Sequence, residues 1–469
     1  MTRGVRHVAL GMVVSFFILS LGLVYWQVVK TGSLQNNPAN RRLILLEQRV
    51  QRGGIFDRNG EVLAKTDNIS GKMTRIYPKG EMFEPLLGYS TLRHGAAGLE
   101  GGLADWLLGM RNPTPLQQIQ QMFAQPHKGD DVVLTLDSRL QSTAYEGLQG
   151  KKGAVVALDP KTGAVLALVS EPGFNPNGLD ANWNDIKGRS GSPLLNRDFA
   201  LYPPGSTMKV VTSAALFRAG LNTSDLFDCT GKVVINGQTI PEQNGEAHGW
   251  VNYNMALADS CNTYFATFGV RAGDKNFLNA VKGFGFGQDI PFELPIPHSR
   301  ITNKTEIPAS LDVNLLAASA FGQGQVLVSP FHMALITAGI ANQGVIMIPH
   351  VVDRVLDGEQ SVVFANMPKP WLTALSSDEA ARIKSAMITA VTDGTAAPGA
   401  LPNVQVAAKT GSAEPGGDQP THAWYIAFAP ADNPEIAVAV FVENGGTGGG
   451  AAAPIARKVI QQALSFEGR

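Results

Sequence analysis

"NVQVAAKTGSAE" (Asn403–Glu414) sets Val404, Val406 and Ala408 on one face of an extended segment, the period-2 pattern of a strand with one face in the core. Two further strand-like runs follow, "AWYIAFAP" (Ala423–Pro430) and "EIAVAVFVEN" (Glu435–Asn444). After a glycine-rich link, "APIARKVIQQALSF" (Ala453–Phe466) has the spacing of an amphipathic helix. Far upstream, "GAVVALDPKTGAVLALVS" (Gly153–Ser170) places apolar runs on both sides of a Pro/Gly turn and predicts a hairpin. The hairpin and the three late strands together predict one five-stranded antiparallel sheet. Helical patterns and loops dominate the stretch between, Phe174–Asp393. The expected fold class is α+β: the sheet is packed by helices and carries a helical subdomain.

Lys-Thr-Gly occurs three times in the chain, and context separates the copies. Lys30–Gly32 is a polar stop after an apolar run, and Lys161–Gly163 forms the turn of the hairpin. Only Lys409–Gly411 falls within or at the end of a strand.

The chain has 469 residues and a formal net charge of -1, which leaves no electrostatic footprint for nucleic acid. It has two cysteines, Cys229 and Cys261, too few for a disulfide framework or a zinc cluster. The histidines show no metal-ligand spacing, so no metal and no cofactor are expected; His422, near the third Lys-Thr-Gly, is read as structural. Val8–Val29 carries no charge and is long enough to cross a bilayer as a helix. Tyr25 and Trp26 sit near its end, at interface depth. Arg3 and Arg6 precede it and favour a cytoplasmic N-terminus, although Lys30, Arg41 and Arg42 on the far side weaken that bias. A cleaved signal peptide is the rival reading, but a small-x-small cleavage site is lacking.

Residues 1–30 are thus expected to be a stub and membrane anchor, 31–129 a small extended pedestal, and 130–469 the main domain. In the pedestal, "RVQRGGIFDRNGEVLAKT" (Arg49–Thr66) predicts a hairpin about Asn59-Gly60. Ser70–Gln125 reads as irregular apart from a short helix at "LEGGLADWLLGM" (Leu99–Met110). The main domain opens with a short strand and a helix capped by Asp137 or Ser138.

Two strings carry candidate chemistry. In "LYPPGSTMKVVTSAALFRAG" (Leu201–Gly220), a Pro-Pro-Gly turn runs straight into an apolar helix. Ser206 and Lys209 are three apart and share one helix face, the arrangement of a hydroxyl nucleophile beside an amine base. Helix-start amides can also stabilise an oxyanion. The same residues equally suit an N-cap serine with a solvated lysine. In "MALADSCNTYFATFG" (Met255–Gly269), Ser260 and Asn262 interrupt an apolar helical run; alone, they read as a polar kink or cap.

The order Ser-x-x-Lys, Ser-x-Asn, Lys-Thr-Gly resembles that of serine enzymes acylated by penicillin. The whole chain resembles the class B penicillin-binding proteins, single-span peptidoglycan D,D-transpeptidases. "RGGIFDRNGEVLA" resembles their pedestal hairpin, "NRDFALYPPGSTMKVVTSAAL" their nucleophile segment and "DSCNTYF" their second motif. "FGQGQVLVSPFHMALITAGIANQG" (Phe321–Gly344) resembles a long stretch after it, and "KTGSAE" with "HAWYIAFAP" the third motif and its next strand.

The resemblance implies that Ser206 attacks a D-Ala-D-Ala stem peptide and releases D-Ala, with Lys209 as base; to act so, Lys209 must be desolvated or placed beside another cation, a place Lys409 can fill. It implies that Ser260 relays a proton to the leaving amine and that Asn262 holds Lys209 and the substrate amide. Lys409, Thr410 and Ser412 would bind the substrate carboxylate, and the Ser206 and Ser412 amides would form the oxyanion hole. Gly411 would let substrate lie close to the strand. β-Lactam antibiotics would trap Ser206. Cys261, inside the second motif, is expected as a buried thiol, with a Cys229–Cys261 bridge as the alternative. The pedestal is shorter than in many relatives. The implied partners are stem peptides, the cytoplasmic membrane and a separate SEDS-type glycan polymerase. A D,D-carboxypeptidase and a β-lactam sensor are the competing functions.

Overall fold

The computed structural model describes residues 3–30, 50–111, 127–414 and 419–467. The five expected strands form one antiparallel sheet in the order Val165–Glu171, Gly153–Leu158, Ile436–Val442, His422–Ala429, Ala407–Ala413. The two late strands at its centre are buried along their whole length, which explains their near-continuous apolar sequence. One face packs against the helices Ser138–Leu148 and Ala453–Glu467, through Leu140, Leu148, Val440, Ile455 and Val459. The other face packs against Pro330–Ala341, a helix buried on every side. Burying each such Val, Leu, Ile or Phe side chain contributes roughly 1.5–3 kcal/mol.

Local signals account for the boundaries. Asp137 caps its helix by accepting from Arg139 N at 3.0 Å, and Ser329 caps Pro330–Ala341 through His332 N. Gly163 turns the hairpin at φ +80°, where the Asp159 carboxylate accepts from Lys161 N and Thr162 Oγ1. Lys161 is therefore an exposed turn residue. Of the first Lys-Thr-Gly copy, Thr31 and Gly32 lie outside the described residues, as do Arg41 and Arg42.

A second, six-stranded sheet runs in the order Val362–Ala365, Val352–Leu356, Asp131–Leu134, Ile55–Phe56, Val62–Ile69, Lys72–Ile76. It contains the expected Asn59-Gly60 hairpin, with Gly60 at φ +84°. It also joins elements on both sides of residue 130, because Ile55–Phe56 pairs in parallel with Asp131–Leu134. That pairing, and the addition of 352–365, are long-range contacts that no local pattern encodes. Between Ser70 and Arg111 the chain is more ordered than expected: Lys72–Ile76 is a strand, and Tyr89–Thr91 pairs with Gly95–Ala97. Inside this region Glu100 is fully buried between Arg52 and Arg75, whose Nε atoms lie 2.5 and 2.6 Å from its carboxylate.

The helix Arg3–Val24 leads the chain, and its apolar side chains are exposed. Among the described residues one helix, Arg3–Gln27, is long and apolar enough to cross a membrane, which fits a single-pass membrane protein.

Candidate active site

The Pro-Pro-Gly turn is built to present Ser206. Gly205 takes φ +53°, a region that disfavours side chains, and a Cβ there would lie 2.6 Å from Ser412 O. Its N–H donates to Gly322 O, Pro203 O accepts from Trp424 Nε1, and Pro204 O accepts from Thr207 Oγ1. These bonds tie the turn to the strand His422–Ala429 and to the Phe321–Gly324 segment. Ser206 then lies in a short 3-10 turn, Gly205–Met208, that feeds the helix Lys209–Arg218.

Lys209 and Lys409 are both fully buried, a rare placement that demands polar partners. Lys209 Nζ lies 3.1 Å from Ser206 Oγ, 3.3 Å from Ser260 Oγ and 2.7 Å from Asn262 Oδ1. It also donates to the Ser260 carbonyl. Lys409 Nζ lies 2.9 Å from Ser260 Oγ and 3.0 Å from Thr410 O. The contacts therefore run unbroken from Ser206 through Lys209 and Ser260 to Lys409.

Ser260 gains its place between the two lysines from the break between helices Tyr253–Ala258 and Asn262–Ala272. Its φ is +62°, strained for a residue with a side chain. The polar-kink reading is met, and the kink is what aims Ser260 and Asn262 at Lys209. Cys261 between them is buried, and its sulfur accepts from Tyr264 N as the cap of the second helix. Cys229 and Cys261 are both free thiols.

Burial draws Lys209 down to about 8, against the opposing pull of Glu242, Cys261 and Cys229. Burial, then repulsion from Lys209, holds Lys409 well below the usual lysine range. Of the two expected causes, desolvation and a neighbouring cation, desolvation leads for Lys209. Loss of hydration is likewise the leading cause for Lys409.

Gly411 carries a constraint that the sequence did not reveal. A Cβ there would meet Pro204 O and Thr207 Cγ2 at 3.0 Å, so its bareness admits the nucleophile turn. Thr410 is buried, with Oγ1 2.7 Å from Thr395 Oγ1, whereas Ser412 is partly accessible. Ala407–Ala413 has its second edge unpaired within the sheet, where an extended peptide can add as a strand.

The family model of the penicillin binding protein transpeptidase domain matches residues 153–461, and that of the penicillin binding protein A dimerisation domain matches 52–132. The chain belongs to the class B penicillin-binding proteins. It is 33% identical, over all of both chains, to the peptidoglycan D,D-transpeptidase PbpA of Mycobacterium tuberculosis. It is 31% identical to MrdA of Acinetobacter baumannii, over 82% of this chain and 65% of that one. Among solved structures, the ceftriaxone acyl-enzyme complex of penicillin-binding protein A from M. tuberculosis matches with TM-score 0.82 and 34% identity, covering 90% of this chain and 100% of that chain. The imipenem acyl-enzyme complex of that protein matches with TM-score 0.82 and 33% identity, over 89% of this chain and 100% of that one.

Three residues of this penicillin-binding protein that bear on the site escaped sequence reasoning. Glu242 accepts from Asn262 N at 2.8 Å and Thr263 N at 2.6 Å, neutralising the start of the Asn262 helix. Thr395 holds Thr410 and donates to Ala258 O. His248 lies 3.3 Å from Cys229 Sγ through Nδ1. None adjoins a motif, and only the fold brings them near. Ligand atoms of Cys229, Glu242, His248 and Cys261 lie within 4.8 Å of one another. His422, read as structural, is buried beside Tyr202 and accepts from Asn444 N.

Proposed function

We propose that this protein is a peptidoglycan D,D-transpeptidase working through an acyl-serine at Ser206. The observation that carries the reading is the buried run of contacts Ser206–Lys209–Ser260–Lys409. Lys209 in its neutral form takes the Ser206 proton as Oγ attacks the carbonyl carbon of the penultimate D-Ala. The Ser206 and Ser412 amides stabilise the oxyanion. As the C–N bond breaks, the proton passes through Ser260 to the departing D-Ala amine. An amine of a neighbouring stem peptide then attacks the ester, gives its proton back along the same route and frees Ser206. Asn262 orients Lys209 and the substrate amide. Lys409, Thr410 and Ser412 receive the terminal carboxylate, whose charge restores the ammonium form of Lys409. A β-lactam acylates Ser206 in the same way but keeps its leaving amine tethered, so the adduct persists. The relative trapped as an acyl-enzyme with ceftriaxone and with imipenem supports this chemistry.

In this reading residues 1–30 anchor the chain with the N-terminus cytoplasmic, because Arg3 and Arg6 precede the span. The catalytic domain, 130–469, is extracytoplasmic. The span and the pedestal, 31–129, are assigned to contact with a SEDS-type glycan polymerase.

Labelling of the full chain with a fluorescent penicillin tests the assignment. One covalent adduct is expected, absent in Ser206→Ala; an adduct that survives the substitution overturns it. With a D-Ala-D-Ala donor, an amine acceptor and the polymerase present, a cross-linked product is expected. Hydrolysis alone would make the enzyme a carboxypeptidase.

A further inference from the structure

The helix that carries Asn262 begins in an unusual cluster. Cys261 is its cap and the middle residue of the second motif. Cys229 ends the strand Phe227–Cys229 and pairs with Gly249, next to His248. Glu242 follows the strand Gln238–Pro241. Two β-ribbons and one helix start thus deliver two thiols, a carboxylate and an imidazole to one point. Cys229 and Cys261 are 0% exposed, Glu242 is 3% exposed and His248 is half-buried.

The spacing matches a coordination shell. Cys229 Sγ is 3.3 Å from His248 Nδ1 and 3.6 Å from Glu242 Oε1, and Cys261 Sγ is 3.2 Å from the same oxygen. Every pair of ligand atoms is within 4.8 Å. A tetrahedral ion bound at about 2.0–2.3 Å by sulfur, nitrogen and oxygen sets its ligands roughly 3.3–3.8 Å apart. One ion therefore fits between these four groups with shifts of about an ångström or less. A set rich in sulfur and imidazole selects zinc over magnesium or calcium. Four protein ligands close the shell, which marks a structural site.

We propose that Cys229, Glu242, His248 and Cys261 bind one zinc ion that clamps the Ser260–Asn262 turn. Binding is not a redox step: the two thiols lose their protons to solvent and the thiolates join the metal. Glu242 couples the ion to Asn262, since its carboxylate accepts from the Asn262 and Thr263 amides. The ligands lie on separate segments without a C-x-x-C or H-x-H spacing, so the expectation of no metal arose from the linear sequence. Only the role of the clamp rests on the transpeptidase reading; the binding of zinc does not.

The test uses the full chain in detergent, with any affinity tag removed. Elemental analysis after dialysis should give about one zinc per chain, retained in Ser206→Ala. Zinc should fall at least roughly tenfold in Cys229→Ala and, if that variant fails to fold, in His248→Gln. Cobalt(II) added to chelator-stripped protein should give the visible spectrum of a tetrahedral thiolate complex, absent in both variants. Chelator-stripped protein should also acylate more slowly with penicillin and recover on zinc addition. Wild-type zinc content in both variants overturns the proposal. So does a metal-free chain with a Cys229–Cys261 disulfide. Loss of penicillin labelling in a zinc-loaded chain would count against the catalytic reading alone.

Discussion

Lys209 Nζ donates to Asn262 Oδ1 across 2.7 Å. The Ser260 carbonyl accepts a second N–H from the same nitrogen. A neutral amine has two N–H groups and one lone pair. With both N–H groups engaged by pure acceptors, the lone pair is left for the Ser206 hydroxyl, 3.1 Å away. In the proposed mechanism, Asn262 sets the direction in which Lys209 acts as a base.

Asn262→Asp should raise the Lys209 pKa, because a carboxylate in this buried place favours the ammonium form. The midpoint of the pH–rate profile for penicillin acylation should move up by about one unit or more. Asn262→Ala should slow acylation without that upward shift. Equal profiles for the two variants would remove the directing role from Asn262.

The unaltered enzyme should gain rate with alkalinity. Lys209 is neutral above about 8, and only the neutral form accepts a proton. Below that pH, acylation should fall about tenfold per unit, and above it the rate should level off. Stopped-flow acylation by a chromogenic β-lactam from pH 6 to 9 reads this directly.

Lys409→Gln should slow acylation by about 10²–10³-fold, since it removes the group beside Ser260 and the counter-charge for a carboxylate. Lys161→Gln alters the same tripeptide in an exposed turn, where Lys161 touches Asn433, and should leave the rate unchanged. Comparing second-order acylation constants separates the two copies.

Gly205→Ala would force a Cβ to within 2.6 Å of Ser412 O at φ +53°. It should cost about 1–3 kcal/mol and weaken penicillin labelling, as the turn and the edge strand are pushed apart. Gly188→Ala, with open space around it, should change neither. Thermal unfolding with and without penicillin measures both.

Glu100 bears on stability rather than chemistry. Burial pushes its carboxyl up, but Arg75 and Arg52 overcome this and hold it below the usual carboxylate range. A depressed folded value means that its stabilisation is present above the unfolded pKa. It is lost as pH falls through the folded one. Glu100→Gln leaves both buried guanidinium groups short of their shared anion and should cost about 3–5 kcal/mol. A Tm near that of the unaltered chain would show that the triad contributes little.

Much of the fold was legible because its information is local. Alternation marks Ala407–Ala413 and the strands after it, turn chemistry marks Asp159–Gly163 and Asn59-Gly60, and a cap marks Asp137. The order of Ser206, Lys209, Ser260, Asn262 and Lys409 named the chemistry. The sequence did not show the parallel pairing of Ile55–Phe56 with Asp131–Leu134, the strand Lys72–Ile76, or the support from Glu242 and Thr395. Each depends on contacts far apart in the chain, whose selection is made by packing.

By itself, then, the sequence determined the sheet, the N-terminal apolar helix and the set of reactive groups, because periodicity and motif spacing are properties of neighbouring residues. Only the tertiary structure decided how those groups behave. Burial draws Lys209 down to about 8, and a kinked, positive-φ Ser260 stands between two lysines. Gly411 makes room for the nucleophile turn, and two thiols, a carboxylate and an imidazole meet beneath Asn262. Desolvation and proximity depend on what surrounds an atom in space, and that is settled when the chain packs.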